Sequence, residues 1–218
     1  MDMMGPPGAM KILVLFAHPA LERSKVNRRL VAEAKGVSGV TVHDLYEAYP
    51  DMHVDVRHEK ALLSEHDAII FQHPFFWYST PALLKEWQDL VLQHGWAYGK
   101  GGKALSGKVT FNVITTGGPE GSYHPEGYNR FTVRQLLAPY EATAKLCAMR
   151  YLPPFVTYAA LRMTDAEAIA AAARDYRRLL EAMAEDRIDL DRAEPLDRLN
   201  ADLDALLDFS RDAREGGD

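Results

Sequence analysis

The segment Leu13–Leu30, LVLFAHPALERSKVNRRL, decides how the rest of the chain is read. Its first four residues, Leu13, Val14, Leu15 and Phe16, form a short unbroken apolar run. That is the pattern of a strand buried on both faces rather than one with a wet side. The run gives way to His18-Pro19 and then to Arg23, Ser24, Lys25 and Asn27. Ser24 is placed to cap a helix running through Ala34, with Val26, Leu30 and Ala34 on its apolar side. A buried strand feeding a helix through a polar turn is the opening unit of an α/β fold. Taken alone, the turn is equally a capped connection or the seat of an anion, because free amides and the dipole at a helix start favour negative charge.

Working outward, strand and helix patterns alternate. Val40–Leu45 suits a second strand and Asp55–Ser64 a short polar helix. Asp67–Phe71 is a third, continuously apolar strand. Thr80-Pro81 reads as a helix start, a cap followed by proline where no amide donor is needed. That helix carries Leu84, Trp87 and Val91 and ends near Gly95. Lys108–Thr115 is a fourth strand. Phe131–Cys147 is helical but contains Pro139, which predicts a kink or two shorter helices. Pro153–Tyr158 is a fifth strand with prolines at its entrance. Thr164-x-x-Glu167 has the form of a capping box, followed by a helix with Ile169, Ala173, Tyr176, Leu180 and Met183 on one face. Five such strands predict an α/β doubly wound parallel sheet, order 2-1-3-4-5, with helices on both faces. We expect a disordered leader over 1–9, with Met10 a candidate start, one domain over 10–188, and a partly helical tail over 189–218. In that tail Leu196, Leu199, Leu203, Leu206 and Leu207 suit one amphipathic helix packing on the core or on a second subunit.

Composition narrows the function. The chain has 25 basic and 31 acidic residues, a formal charge of −6, which argues against a nucleic-acid partner. Its single cysteine, Cys147, suits a reducing, cytoplasmic setting and a buried structural thiol. No apolar run approaches a membrane span, and the first residues lack the features of a signal peptide. Gly102-x-x-x-x-Gly107-Lys108 lacks the Ser or Thr of a phosphate loop and leads into a strand rather than out of one. The eight histidines lack metal-ligand spacing, so no metal is expected.

In a doubly wound sheet ligands bind beyond the carboxyl ends of the strands, at the switch in strand order. Here that brings three unusual loops together. The first is His18 to Asn27. The second, His73–Pro81, holds four consecutive aromatics, Phe75, Phe76, Trp77 and Tyr78, which cannot all face one core from a short loop. The third, Thr115-Thr116-Gly117-Gly118, permits close backbone approach. The three ask for a ligand with an anionic end and a flat, hydrogen-bonding end. Flavin mononucleotide fits, and a metabolite phosphate with a smaller ring stays open at this point.

The segments AHPALERSKVNRRL, FQHPFFWYSTPALLKEWQDLVLQHGWAYGKGG, ALSGK, TTGG and YLPPF resemble the NAD(P)H:quinone oxidoreductases of flavodoxin-like fold. The resemblance covers roughly Met10 to Glu185 and is nearest to the bacterial ancillary proteins of glutathione-regulated potassium-efflux systems. It implies FMN as cofactor, with FAD the less favoured flavin, and NAD(P)H as co-substrate. His18, Ser24, Lys25, Val26 and Asn27 match the family's phosphate loop. Pro74, Phe75, Phe76, Trp77 and Tyr78 match the segment at ribityl chain and ring, and Thr115, Thr116, Gly117 and Gly118 the loop along the ring edge. Tyr123 matches a tyrosine of the nicotinamide and quinone pocket. The histidine that animal members place a few residues later has no counterpart, since the chain reads Glu126-Gly127-Tyr128-Asn129 there. The resemblance further implies ping-pong hydride transfer from NAD(P)H to flavin to quinone, a homodimer, and a cytoplasmic protein. A second reading is a regulatory subunit held at the inner membrane by a potassium-efflux transporter, with reductase activity secondary.

Overall fold

The structure, a computed structural model, describes residues 10–207. The expected leader, 1–9, and the end of the tail, 208–218, lie outside the described residues. In chain order the elements are β1 (Ile12–Phe16), α1 (Lys25–Lys35), β2 (Val40–Asp44), α2 (Leu45–Ala48), α3 (Val56–Glu65), β3 (Ala68–Pro74) and α4 (Ala82–Val91). There follow β4 (Val109–Thr115), α5 (Val133–Leu136), α6 (Ala138–Leu146), β5 (Arg150–Tyr151), β6 (Phe155–Thr157), α7 (Ala166–Ala184) and α8 (Leu190–Ala193). All strand pairs are parallel, in the order β2-β1-β3-β4-β5, with β6 also on β4. The expected order holds; the expected fifth strand, 153–158, is β6, and the short strand β5 before it was not foreseen. Leu152-Pro153-Pro154 separates them, because the prolines have no amide to give the ladder.

Strand alternation divides the core. Ile12, Val14 and Phe16 of β1 face α1, α7 and the C-terminal segment, while Leu13 and Leu15 face the layer of Leu63, Trp87, Val91 and Tyr140. In that second layer Glu59 is fully buried. Its carboxylate accepts from Tyr49 Oη at 2.5 Å and Trp87 Nε1 at 2.7 Å and meets His43 Nε2 at 2.7 Å. These partners outweigh the cost of burial and hold the carboxyl below its ordinary pKa.

Several boundaries differ from expectation. Pro81 is the cap of α4, not its first helical residue, and Thr80 contributes no cap bond. Asp165, not Thr164, caps α7 by accepting the Glu167 amide. The expected split at Pro139 is present, as α5 and α6. The tail leucines do not form one helix. α8 is followed by turns, and helix resumes over 203–207. Leu199, Leu203, Leu206 and Leu207 are buried in the α1/α7 layer, so this part of the tail packs on its own core. Asn200 clips it to the sheet: its side chain donates to the Val156 carbonyl at 2.9 Å and accepts the Val156 amide at 3.0 Å.

Candidate functional site

The loops after β1, β3, β4 and β6 converge at the carboxyl edge of the sheet around a cavity of about 510 Å3. Its first wall is built from His18 to Asn27. Ser24 has extended φ/ψ and its hydroxyl accepts both the Asn27 amide (3.2 Å) and Asn27 Nδ2 (3.0 Å). The second Nδ2 hydrogen goes to Thr115 Oγ1 at 2.9 Å, which ties α1 to the end of β4. Asn27 is 2 % exposed, and its Oδ1 is buried with no partner. The amides of Lys25 and Val26, in the first turn of α1, have no acceptor within the helix. His18 Nδ1 accepts the Ala20 amide at 3.1 Å, so the neutral ring carries its proton on Nε2. Burial lowers its pKa.

The second wall is the aromatic loop. Phe75 is buried and its amide is held by the Thr115 carbonyl at 2.9 Å. Phe76 and Tyr78 are exposed, and Trp77 is 94 % exposed. Trp77 and Tyr78 both lie in the left-handed region, at φ 51° and 61°, which costs about 1–2 kcal/mol per residue for a side chain of this kind. Strain of this sort gathers at ligand clamps. Beneath the loop His73 is wholly buried. Its Nδ1 lies 3.0 Å from the Pro74 carbonyl, which can only accept, so Nδ1 carries the proton. Nε2 must then accept from Asn112 Nδ2 at 3.2 Å, and Asn112 Oδ1 accepts from Tyr151 at 2.8 Å. Burial lowers the His73 pKa to about 4, which agrees with this neutral tautomer.

The third wall is Thr115, Thr116 and Gly117, with Thr116 Oγ1 donating to the Gly118 carbonyl at 2.8 Å. A side chain at Gly118 would press the Tyr123 ring at 3.3 Å. A fourth wall went unforeseen. Ala160, Leu161, Met163 and Thr164, after β6, also line the cavity. The rule that ligands sit beyond strand ends would have found them, but their side chains carry no chemical signature.

Of the expected residues the cavity brings together His18, Ser24, Lys25, Asn27, Pro74, Phe75, Phe76, Trp77, Thr115, Thr116 and Gly117. Four stand apart. The Val26 side chain is in the core, leaving only its amide for a ligand. Tyr78 reaches outward and donates to Asn129 at 3.0 Å. Gly118 abuts Tyr123 rather than the cavity. Tyr123 packs between Phe75 and Tyr158, with centroids 6.3 and 5.8 Å away, and lines a second cavity of about 410 Å3. Burial raises its hydroxyl pKa.

The chain belongs to the flavodoxin-like fold family, which matches residues 10–180. Among bacterial relatives it is 51 % identical, over 76 % of this chain and 90 % of the other, to the glutathione-regulated potassium-efflux system ancillary protein KefG of Pectobacterium carotovorum. Two solved structures are also similar. General stress protein 14 of Treponema denticola, solved in complex with FMN, is 37 % identical with a TM-score of 0.74, over 79 % of this chain and 99 % of the other. An NADPH-quinone reductase from P. pentosaceus is 33 % identical with a TM-score of 0.72, over 78 % and 98 %.

Proposed function

We propose that the protein is an FMN-dependent NAD(P)H:quinone oxidoreductase. One observation carries the reading: a single cavity has a helix start with free amides at one end and an aromatic wall at the other. The Lys25 and Val26 amides, with Ser24 and the Lys25 side chain, would hold a phosphate. The unpartnered Asn27 Oδ1 is a buried acceptor suited to a ribityl hydroxyl, since a buried acceptor left unpaired is costly. Phe75, Phe76 and Trp77 offer the flat apolar wall a flavin ring needs, and Gly117 offers its amide to the polar edge, the Thr116 amide being held by the Thr157 carbonyl at 3.0 Å. Bound FMN would supply the hydride chemistry, while the chain positions the ring and excludes water. Tyr123, held protonated by burial, would donate to a quinone oxygen as it gains charge. The FMN complex and the NADPH-quinone reductase among the similar structures support this reading.

The test begins with the visible spectrum of the purified protein. We expect a yellow protein, or one reconstituted by added FMN, that bleaches under anaerobic NAD(P)H and recovers its colour on adding quinone. A protein that cannot take up FMN overturns the proposal. Tyr123→Phe should slow recovery by quinone and leave FMN bound.

The name of the KefG relative favours a second reading, an ancillary subunit of a potassium-efflux system. Co-purification with the cytoplasmic part of such a transporter tests it. We further infer a homodimer, supported by the exposed Phe76, Trp77, Tyr78, Tyr128 and Phe131. Sedimentation would measure it.

A further inference from the structure

The C-terminal segment lies beyond the family match, which ends at residue 180, yet it reaches the residues that flank the tyrosine proposed to act on substrate. Arg198 is the point of contact. Its guanidinium pairs with Glu120 and lies over the Tyr158 ring, 5.5 Å from the centroid. Both partners lead to Tyr123. Glu120 opens the turn whose carbonyl accepts the Tyr123 amide at 2.9 Å, and the Tyr158 ring packs on the Tyr123 ring. Arg198 thus bears on Tyr123 through two intermediaries, Glu120 on its backbone side and Tyr158 on its ring side. The neighbours of Arg198 are themselves tied down. Arg134 donates to the Glu194 and Leu196 carbonyls, the Leu199 amide is held by Pro154 at 2.9 Å, and Asn200 is clipped to Val156.

The cavity beside Tyr123 is walled on one side by Asp197 and Arg198. Its charge has a sense. Of the two arginines that line it, Arg198 is paired with Glu120, while Arg134 donates from Nη1 to the Glu194 and Leu196 carbonyls and keeps its charge. His124 Nδ1 accepts the Glu126 amide. Glu126 and Asp197 line the same space without a cationic partner among the described residues. With Glu120, Glu126 and Asp197 set against Arg134 and Arg198, the lining carries one carboxylate in excess, which disfavours an anionic substituent, whereas an uncharged ring would meet two tyrosines.

We propose that the C-terminal segment forms the outer wall of the electron acceptor's subsite, with Arg198 positioning Tyr123, and that this subsite takes uncharged quinones in preference to anionic ones. The proposal rests on the quinone-reductase reading and deepens it. The experiment uses the full-length FMN-loaded protein and measures the two half-reactions separately, with a neutral naphthoquinone and its sulfonate as acceptors. Wild type should reoxidise faster with the neutral quinone. Arg198→Ala should slow reoxidation by the neutral quinone about tenfold or more, as expected when a catalytic donor is misplaced. FMN content should not change. Arg198→Lys, which keeps the charge but not the planar face over Tyr158, should recover part of the loss. Glu120→Gln should reproduce it without touching the segment's core, and carries the test if Arg198→Ala does not fold. Asp197→Asn with Glu126→Gln should raise use of the sulfonate. Wild-type rates in Arg198→Ala and Glu120→Gln, or equal use of both quinones by wild type, would overturn the proposal. A wild-type protein that NAD(P)H does not reduce would instead overturn the reading beneath it.

Discussion

The two ends of the cavity are built on opposite principles. At the α1 end the polar groups are buried and cross-braced: Ser24 caps the helix, and Asn27 joins it to Thr115 of β4. At the aromatic end the backbone is held but the side chains are not. The Phe75 amide is fixed on Thr115, while Trp77 stands 94 % exposed on a left-handed backbone. The first end is preorganised before any ligand arrives, so little binding energy is lost to ordering it. The second holds exposed apolar surface and local strain in reserve for a ring, a substrate or a second copy of the chain to use.

That contrast can be broken by substitution. Asn27→Ala removes two buried hydrogen bonds and the unpaired acceptor, and should weaken FMN binding about 100-fold, on the order of 3 kcal/mol. Fluorescence titration of the apoprotein would measure it. Next comes pH. Folding holds the His73 pKa near 4, below its ordinary 6.5. The unfolded chain therefore binds a proton between those values that the folded chain does not, so stability is full above pH 6.5 and is lost as pH falls toward 4. At most about 3 kcal/mol is at stake, readable in urea denaturation at pH 7.5 and pH 5. Ser24→Ala should cost about 1 kcal/mol of apoprotein stability through the lost cap. Trp77→Ala should change apoprotein stability by no more than about 0.5 kcal/mol while altering quinone turnover or self-association. A large loss of stability there would mean that the aromatic end is also preorganised, and the contrast would fall.

Where one residue type does a job by itself, the job was legible in advance. The apolar runs of β1, β3 and β4 show as strands buried on both faces, and Ser24 caps α1 as its chemistry suggests. The convergence of three loops follows from strand order alone. What was hidden depends on conformation or on distant partners. Thr80 and Thr164 have the side chains of caps, yet the caps are Pro81 and Asp165, because the cap is whichever residue turns first into the helix. Tyr123 stands in a second cavity because Phe75 and Tyr158, far apart in sequence, close on either side of it. Ala160 and Leu161 are ordinary residues that become cavity wall only by position.

Asn200 has a consequence beyond its place in the tail. Parallel sheets end in strands whose outer amides and carbonyls are free to pair with another chain. Here the outward amide and carbonyl of Val156 are both taken by one side-chain amide, which imitates the strand that would otherwise dock. Pro153 and Pro154 just before it offer no amide at all. The chain thus carries its own stopper against edge-to-edge growth, and a truncation that removed the C-terminal segment would leave an open template for aggregation at the margin of the proposed acceptor subsite.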